Sequence, residues 1–285
     1  MRNENESFIG ITPIFHTIIF EMKKQRKKLY FFTVIAILIA VLTGYILQLF
    51  PNNLLPQTQA EYFSDSLTFI SFLTLFAACL FFSGIICSEF NKRTGFIVFP
   101  KINKYKLIIG KYLGNLILVV FIVTIYYFIL GLLGFFYYGG LINIRIFYSF
   151  GFAVLYVIAL SSFVTLFSSF MKNVNITIII TLVILLMGFN ISDQIITLVF
   201  ADAFEPIYSL AYLGNLISSV LENPFPDPRY VEFSFGGMGG GMMGGGDFSF
   251  GMWQTPSIFM GTTMLLVYIV LFFVLAALLF KRRQL

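Results

Sequence analysis

Few residues in this sequence could do chemistry. There is one histidine, His16, and two cysteines, Cys79 and Cys87. Acid–base or nucleophilic catalysis needs His, paired carboxylates or a His–Ser arrangement, so with His16 alone no catalytic residue is assigned. Cys79 and Cys87 are eight residues apart in one apolar run. On a helix that is about 12 Å, beyond disulfide reach. The stretch GGMGGGMMGGG at 236–246 sets Met238, Met242 and Met243 among glycines. Thioethers suit Cu(I), but no His or Cys joins them. A copper-handling loop and a glycine-rich loop touching membrane or partner are both open readings. The other polar constellation is SEFNKRTGFIVFPKINKYKLIIGK at 88–111, which contains Glu89, Arg93, Thr94, Gly95, Pro100, Gly110 and Lys111. Gly110-Lys111 is followed by Tyr112 and has no glycine five residues earlier. It therefore does not form the phosphate-cradling GxxxxGK[ST] loop, and no ATP or Mg site is expected in this chain.

The elements that position these residues follow from composition. The chain of 285 residues is 59% hydrophobic and 11% charged, against roughly 25% charged in ordinary soluble domains. The expected class is an all-α integral membrane protein, one transmembrane domain over 1–285. A spanning helix needs about 20 apolar residues. Six stretches qualify, near 29–49, 67–87, 112–138, 147–170, 174–192 and 257–280. They are uniform apolar runs, which fit helices and not the alternating strands of a barrel. The opening MRNENESFIGITPIF has no basic segment leading into an apolar one and is not read as a cleaved signal.

The distribution of Lys and Arg orients the spans. With the N-terminus cytoplasmic, 16 of the 18 Lys and Arg residues fall inside; only Arg145 and Arg229 fall outside. The formal net charge of +5 is thereby assigned to the membrane's inner face and not to nucleic acid. Both termini are expected in the cytoplasm of a multi-pass plasma-membrane protein. Residues 8–28 place Ile11, Phe15, Ile18, Ile19 and Met22 near helical spacing ahead of a basic cluster, which predicts an interfacial amphipathic helix. The outer segment 193–256 is expected to hold short or re-entrant helices, then a flexible Gly/Met stretch over 229–256. No acid or base falls in the middle of an expected span; Asp193 comes nearest, at the outer end of the fifth. Ion-coupled carriers place charge at mid-membrane, so that class is disfavoured. The polar residues inside spans, Asn115, Thr124, Ser161, Ser162, Thr165, Ser168, Ser169, Thr177 and Thr181, read mostly as helix–helix contacts.

Glu89, Thr94-Gly95, Pro100, Ile102 and Gly110-Lys111 follow a pattern that resembles the loop between the second and third spans of ABC-2 type ABC transporter permeases. The interfacial N-terminal helix, the six spans and the large fifth outer loop resemble that family too. What the resemblance implies is a coupling helix within 88–111, with Glu89, Arg93, Thr94, Gly95, Pro100, Gly110 and Lys111 serving the contact with an ATPase. It implies two copies of a cytoplasmic ABC ATPase subunit that bind the ATP and Mg, a second permease copy or homologue, and outward transport of a substrate. An aromatic-rich, charge-free membrane surface suits a lipidic or amphipathic substrate. A non-transporting membrane scaffold or assembly protein, or a copper-linked ABC permease, fits the same residues.

Overall fold

Phe-, Ile- and Leu-rich runs satisfy their backbone hydrogen bonds internally only as helices, and the chain is helical wherever such runs occur. The computed structural model describes residues 12–49, 56, 58–91, 104–235 and 248–282. In chain order the principal elements are α1 (Thr12–Lys24), α2 (Arg26–Leu49), α3 (Gln59–Leu67), α4 (Ile70–Phe82), α5 (Cys87–Asn91) and α6 (Lys104–Tyr138). There follow α7 (Arg145–Phe170), α8 (Val174–Val183), a π-turn (Ile184–Gly188), α9 (Phe189–Phe200), α10 (Leu210–Gly214), α11 (Leu216–Ser219), β1 (Tyr230–Phe235), β2 (Phe248–Trp253) and α12 (Ile258–Arg282).

Five helical stretches are long and apolar enough to cross a membrane: Gln59–Glu89, Tyr105–Tyr138, Arg145–Phe170, Val174–Phe200 and Ile258–Lys281. They correspond to the second through sixth expected spans, and α2 occupies the place of the first. The protein is a helical membrane protein. Two spans are longer than expected. The third opens at Lys104 and so takes in Gly110 and Lys111. The fifth continues through the π-turn to Phe200, so the segment 193–200 is not a separate re-entrant piece. In the fifth, Asn190, Asp193 and Gln194 do not terminate the helix because no Gly or Pro follows them before Pro206. Where two glycines do follow, the helix stops. Gly139 (φ +62°) and Gly140 (φ +78°) end α6 in left-handed conformation.

The core is built where α4, α6 and α7 meet, around Phe81, Phe82, Ile122, Tyr126 and Leu160, all essentially inaccessible. α12 lies along α7, and α2 lies along α6. Ser168 on α7 repairs a break in the second span. Its Oγ accepts from the amides of Ile86 and Cys87, both at 3.1 Å, and donates to the carbonyl of Ser83 at 2.7 Å. These are groups that the non-helical turn at 83–86 would otherwise leave unpaired in an apolar medium. Tyr112 of α6 reaches Ser161 and Ser162 of α7 in the same way, at 2.6 and 3.1 Å. Thr165, Ser169, Thr177, Thr181 and Thr124 instead donate to carbonyls of their own helices. Cys79 and Cys87 are buried and not joined in a disulfide.

One expectation about local structure is corrected. Residues 229–256 are not uniformly loose: β1 and β2 pair antiparallel from Tyr230↔Trp253 to Phe235↔Phe248. The signal is present as the period-two segments YVEFSF and FSFGMW on either side of a Gly-rich stretch of sequence. Met238, Met242 and Met243 lie outside the described residues.

Candidate functional site

An ion pair joins the C-terminal end of the second long helix to the N-terminal end of the third. Glu89, on the short helix α5, and Lys111, in the second turn of α6, are bonded carboxylate to ammonium. Their side chains are only 13% and 6% exposed respectively. The pairing joins residues 22 positions apart, and so brings the two ends of the intervening chain together. Residues 92–103, with Arg93, Thr94, Gly95 and Pro100, lie outside the described residues. The predicted loop over 88–111 is thus shorter than its expected bounds: 87–91 and 104–111 are helical.

A buried pair of this kind has to be complete. Desolvating two charges costs several kcal/mol per ion, and their attraction offsets this only when both partners are present. The extra reach of α6 creates the situation, since Lys111 lies seven residues inside a helix that opens at Lys104. Both charges lie at the ends of their long helices and not in the middle of either.

Gly110 and Gly114 form the second part of the site. A Cβ built on Gly110 would stand 2.7 Å from Thr17 Cβ and 3.1 Å from the carbonyl oxygen of Ile14; one on Gly114 would stand 3.2 Å from the carbonyl oxygen of Ile18. These two glycines are therefore the seat of α1, whose backbone approaches α6 as closely as absent side chains allow. The face that α1 turns to α6 is polar. Thr17, Glu21 and Gln25, four residues apart, are buried, while Phe15 and Phe20 are 58% and 63% exposed. Glu21 is satisfied within the helix, accepting from Lys24 at 3.0 Å and from Gln25 at 3.1 Å. Lys28 donates to the carbonyl of Leu80 at 2.9 Å and ties the start of α2 to the second span. Glu89, Gly110 and Lys111 are thus brought together with α1, which sequence spacing had treated as a separate interfacial element. His16 is exposed on α1.

Arg145 and Arg229 are structural ties. Arg145 donates to the backbone carbonyl of Glu222 and, at 3.0 Å, to Asn223 Oδ1. Arg229 pairs with Glu205 at 2.6 Å and lies 5.7 Å from the centre of the Trp253 ring. Tyr212 donates to the same Glu205 carboxylate at 3.0 Å. Burial, and then the Glu205 charge, push the Tyr212 phenol well above its ordinary range. Together these bonds pin the short helices α10 and α11 and the hairpin to the end of the bundle. Among the described residues no group of three or more His, Cys, Asp or Glu could hold a metal ion. The sequence matches no protein-family model, and no curated protein matches it.

Proposed function

We propose that this chain is the membrane subunit of an ABC exporter of the ABC-2 type. In this reading α2 is the first of six crossings, both termini face the cytoplasm, and the membrane is the plasma membrane. The chain binds no nucleotide. Two copies, or one copy and a homologue, meet two cytoplasmic ATPase subunits through residues 92–103 and α1, and the ATPases hold ATP and Mg. Closure of the ATPase pair shifts the inner ends of the spans, and a lipidic or amphipathic substrate leaves outward between the two permease halves.

The observation that carries this reading is the Glu89–Lys111 pair, whose two members flank residues 92–103 in the sequence, with α1 seated beside it on Gly110 and Gly114. A push on 92–103 would reach the second span, the third span and α1 at one stiff point. Mechanical coupling needs such a junction, because packed elements move as rigid bodies and not by bending.

The test is hydrolysis by the ATPase that co-purifies with this chain. Glu89→Gln should abolish the stimulation this chain gives, and the reversed pair Glu89→Lys with Lys111→Glu should restore at least part of it. Stimulation unchanged by Glu89→Gln would overturn the coupling role. In a variant lacking Cys79 and Cys87, Phe96→Cys should react with a membrane-impermeant thiol reagent only from the cytoplasmic side. Labelling from outside would end the proposal.

A further inference from the structure

A cavity of about 460 Å³ opens on the outer half of the fifth long helix. One wall is a polar stripe on α9: Asn190, Asp193, Gln194 and Thr197 recur at three- and four-residue spacing, which is one helical face. Facing it are Tyr212, Asn215 and Trp253, from α10, the turn before α11, and β2. Leu198 and Met252 give the same space an apolar margin.

Among the described residues, Asp193 is the only charged one lining this cavity. The Ser209 and Tyr208 hydroxyls hydrogen-bond to its carboxylate, but its Oδ1 is buried and, among the described residues, accepts no hydrogen bond, and no cation lines the cavity beside it. The nearby base, Arg229, is engaged with Glu205 at 2.6 Å and stacked on Trp253. Trp253 Nε1 is a second buried atom with no partner among the described residues. α9 runs on to Phe200, so Asp193 sits seven residues, about 10 Å, inside the outer end of an apolar helix. An ionisable group at that depth is costly unless something pairs with it, and such groups mark ligand sites. The π-turn at 184–188 immediately precedes the stripe. Single π-turns inside α-helices are common at functional sites.

We infer that this cavity binds the cationic headgroup of an amphiphile, a protonated or quaternary amine, with Asp193 as counter-ion. The amides of Asn190, Gln194 and Asn215 supply the polar surround, and the tail leaves along Leu198 and Met252. The inference goes beyond the permease reading and does not depend on it.

The chain contains a single tryptophan, Trp253, so its emission reports this cavity directly. The protein in neutral maltoside micelles is titrated with decyltrimethylammonium and with the isostere in which carbon replaces the quaternary nitrogen. A saturable change in emission is expected with the cation only. Asp193→Asn should weaken binding about tenfold or more, as loss of a charge-assisted contact does, and Asp193→Glu should retain most of it. The unliganded emission spectrum of each variant checks that the cavity is intact; if Asp193→Asn fails that check, Asn190→Ala and Gln194→Ala, read by equilibrium dialysis of the cation, take its place. Displacement of the cation by short-chain phosphatidylcholine would identify a lipid headgroup as the source, and lack of displacement a free amphiphile. Equal binding of the neutral isostere, or binding unchanged in Asp193→Asn and in both amide variants, would overturn the inference. No ATPase is present in these measurements, so their failure is distinct from failure of the permease reading.

Discussion

At the scale of single residues, the most consequential side chains are the polar ones that the bundle has buried. Glu89 and Lys111 illustrate the asymmetry. Glu89→Ala leaves an ammonium with no partner in a site where its side chain is 6% exposed, and a loss of about 3–5 kcal/mol is expected. Replacing both, as Glu89→Leu with Lys111→Met, removes the desolvation penalty along with the attraction. That double variant is expected to melt at or above the wild-type temperature in micelles, even though coupling to an ATPase should be lost. If the single and double variants were equally destabilised, the pair would not be the buried unit described. Ser168→Ala would orphan the amides of Ile86 and Cys87 and the carbonyl of Ser83. A cost of about 1–3 kcal/mol is expected, read as a lower melting temperature.

At the scale of elements, the seating of α1 on α6 is decided by two absent side chains. Gly110→Leu cannot be accommodated, because even a Cβ there would lie 2.7 Å from Thr17 Cβ and 3.1 Å from the carbonyl oxygen of Ile14. The expected result is an undocked α1, detected as faster tryptic cleavage at Lys23 and Lys24 with the remaining spans intact. Gly151, where an added Cβ meets nothing within 4 Å, supplies the control: Gly151→Ala should leave cleavage unchanged. Unaltered cleavage in Gly110→Leu would show that α1 is held by something other than this contact. The hairpin teaches a complementary lesson. Its two strands were legible as alternating segments, but eight glycines over 236–246 drew attention to chain flexibility and away from the pairing on either side.

At the scale of the whole molecule, the end of the bundle that carries α10, α11 and the hairpin is a layer of ties. Glu222 belongs to it, next to a cavity of about 670 Å³ that Glu61 and Asp65 also line. Burial first, and the Asp65 charge second, raise the Glu222 carboxyl above its ordinary value. A carboxyl raised in the folded state favours folding while protonated, and that contribution is lost as pH rises through the folded value. Glu222→Gln should therefore melt above the wild type near about pH 7, and the gap should close toward about pH 4. A gap that widened on acidification would reverse the sign and refute this account.

The sequence alone was enough to establish the class of the protein, the place and helical nature of its long apolar runs, and the residues around 88–111 worth watching. Each of these is set by composition and short-range periodicity, which act within about 20 residues. It did not establish where the helices end. Lys111 and Asp193 lie inside helices because the neighbouring turns continue and because partners or a cavity receive them. Nor could spacing show that Glu89 meets Lys111, that Gly110 and Gly114 seat α1 by its polar face, or that Ser168 repairs a break 82 residues away. Those contacts join parts of the chain far apart in sequence. They exist only once helix packing has excluded solvent and left each buried polar atom to find its partner across the bundle.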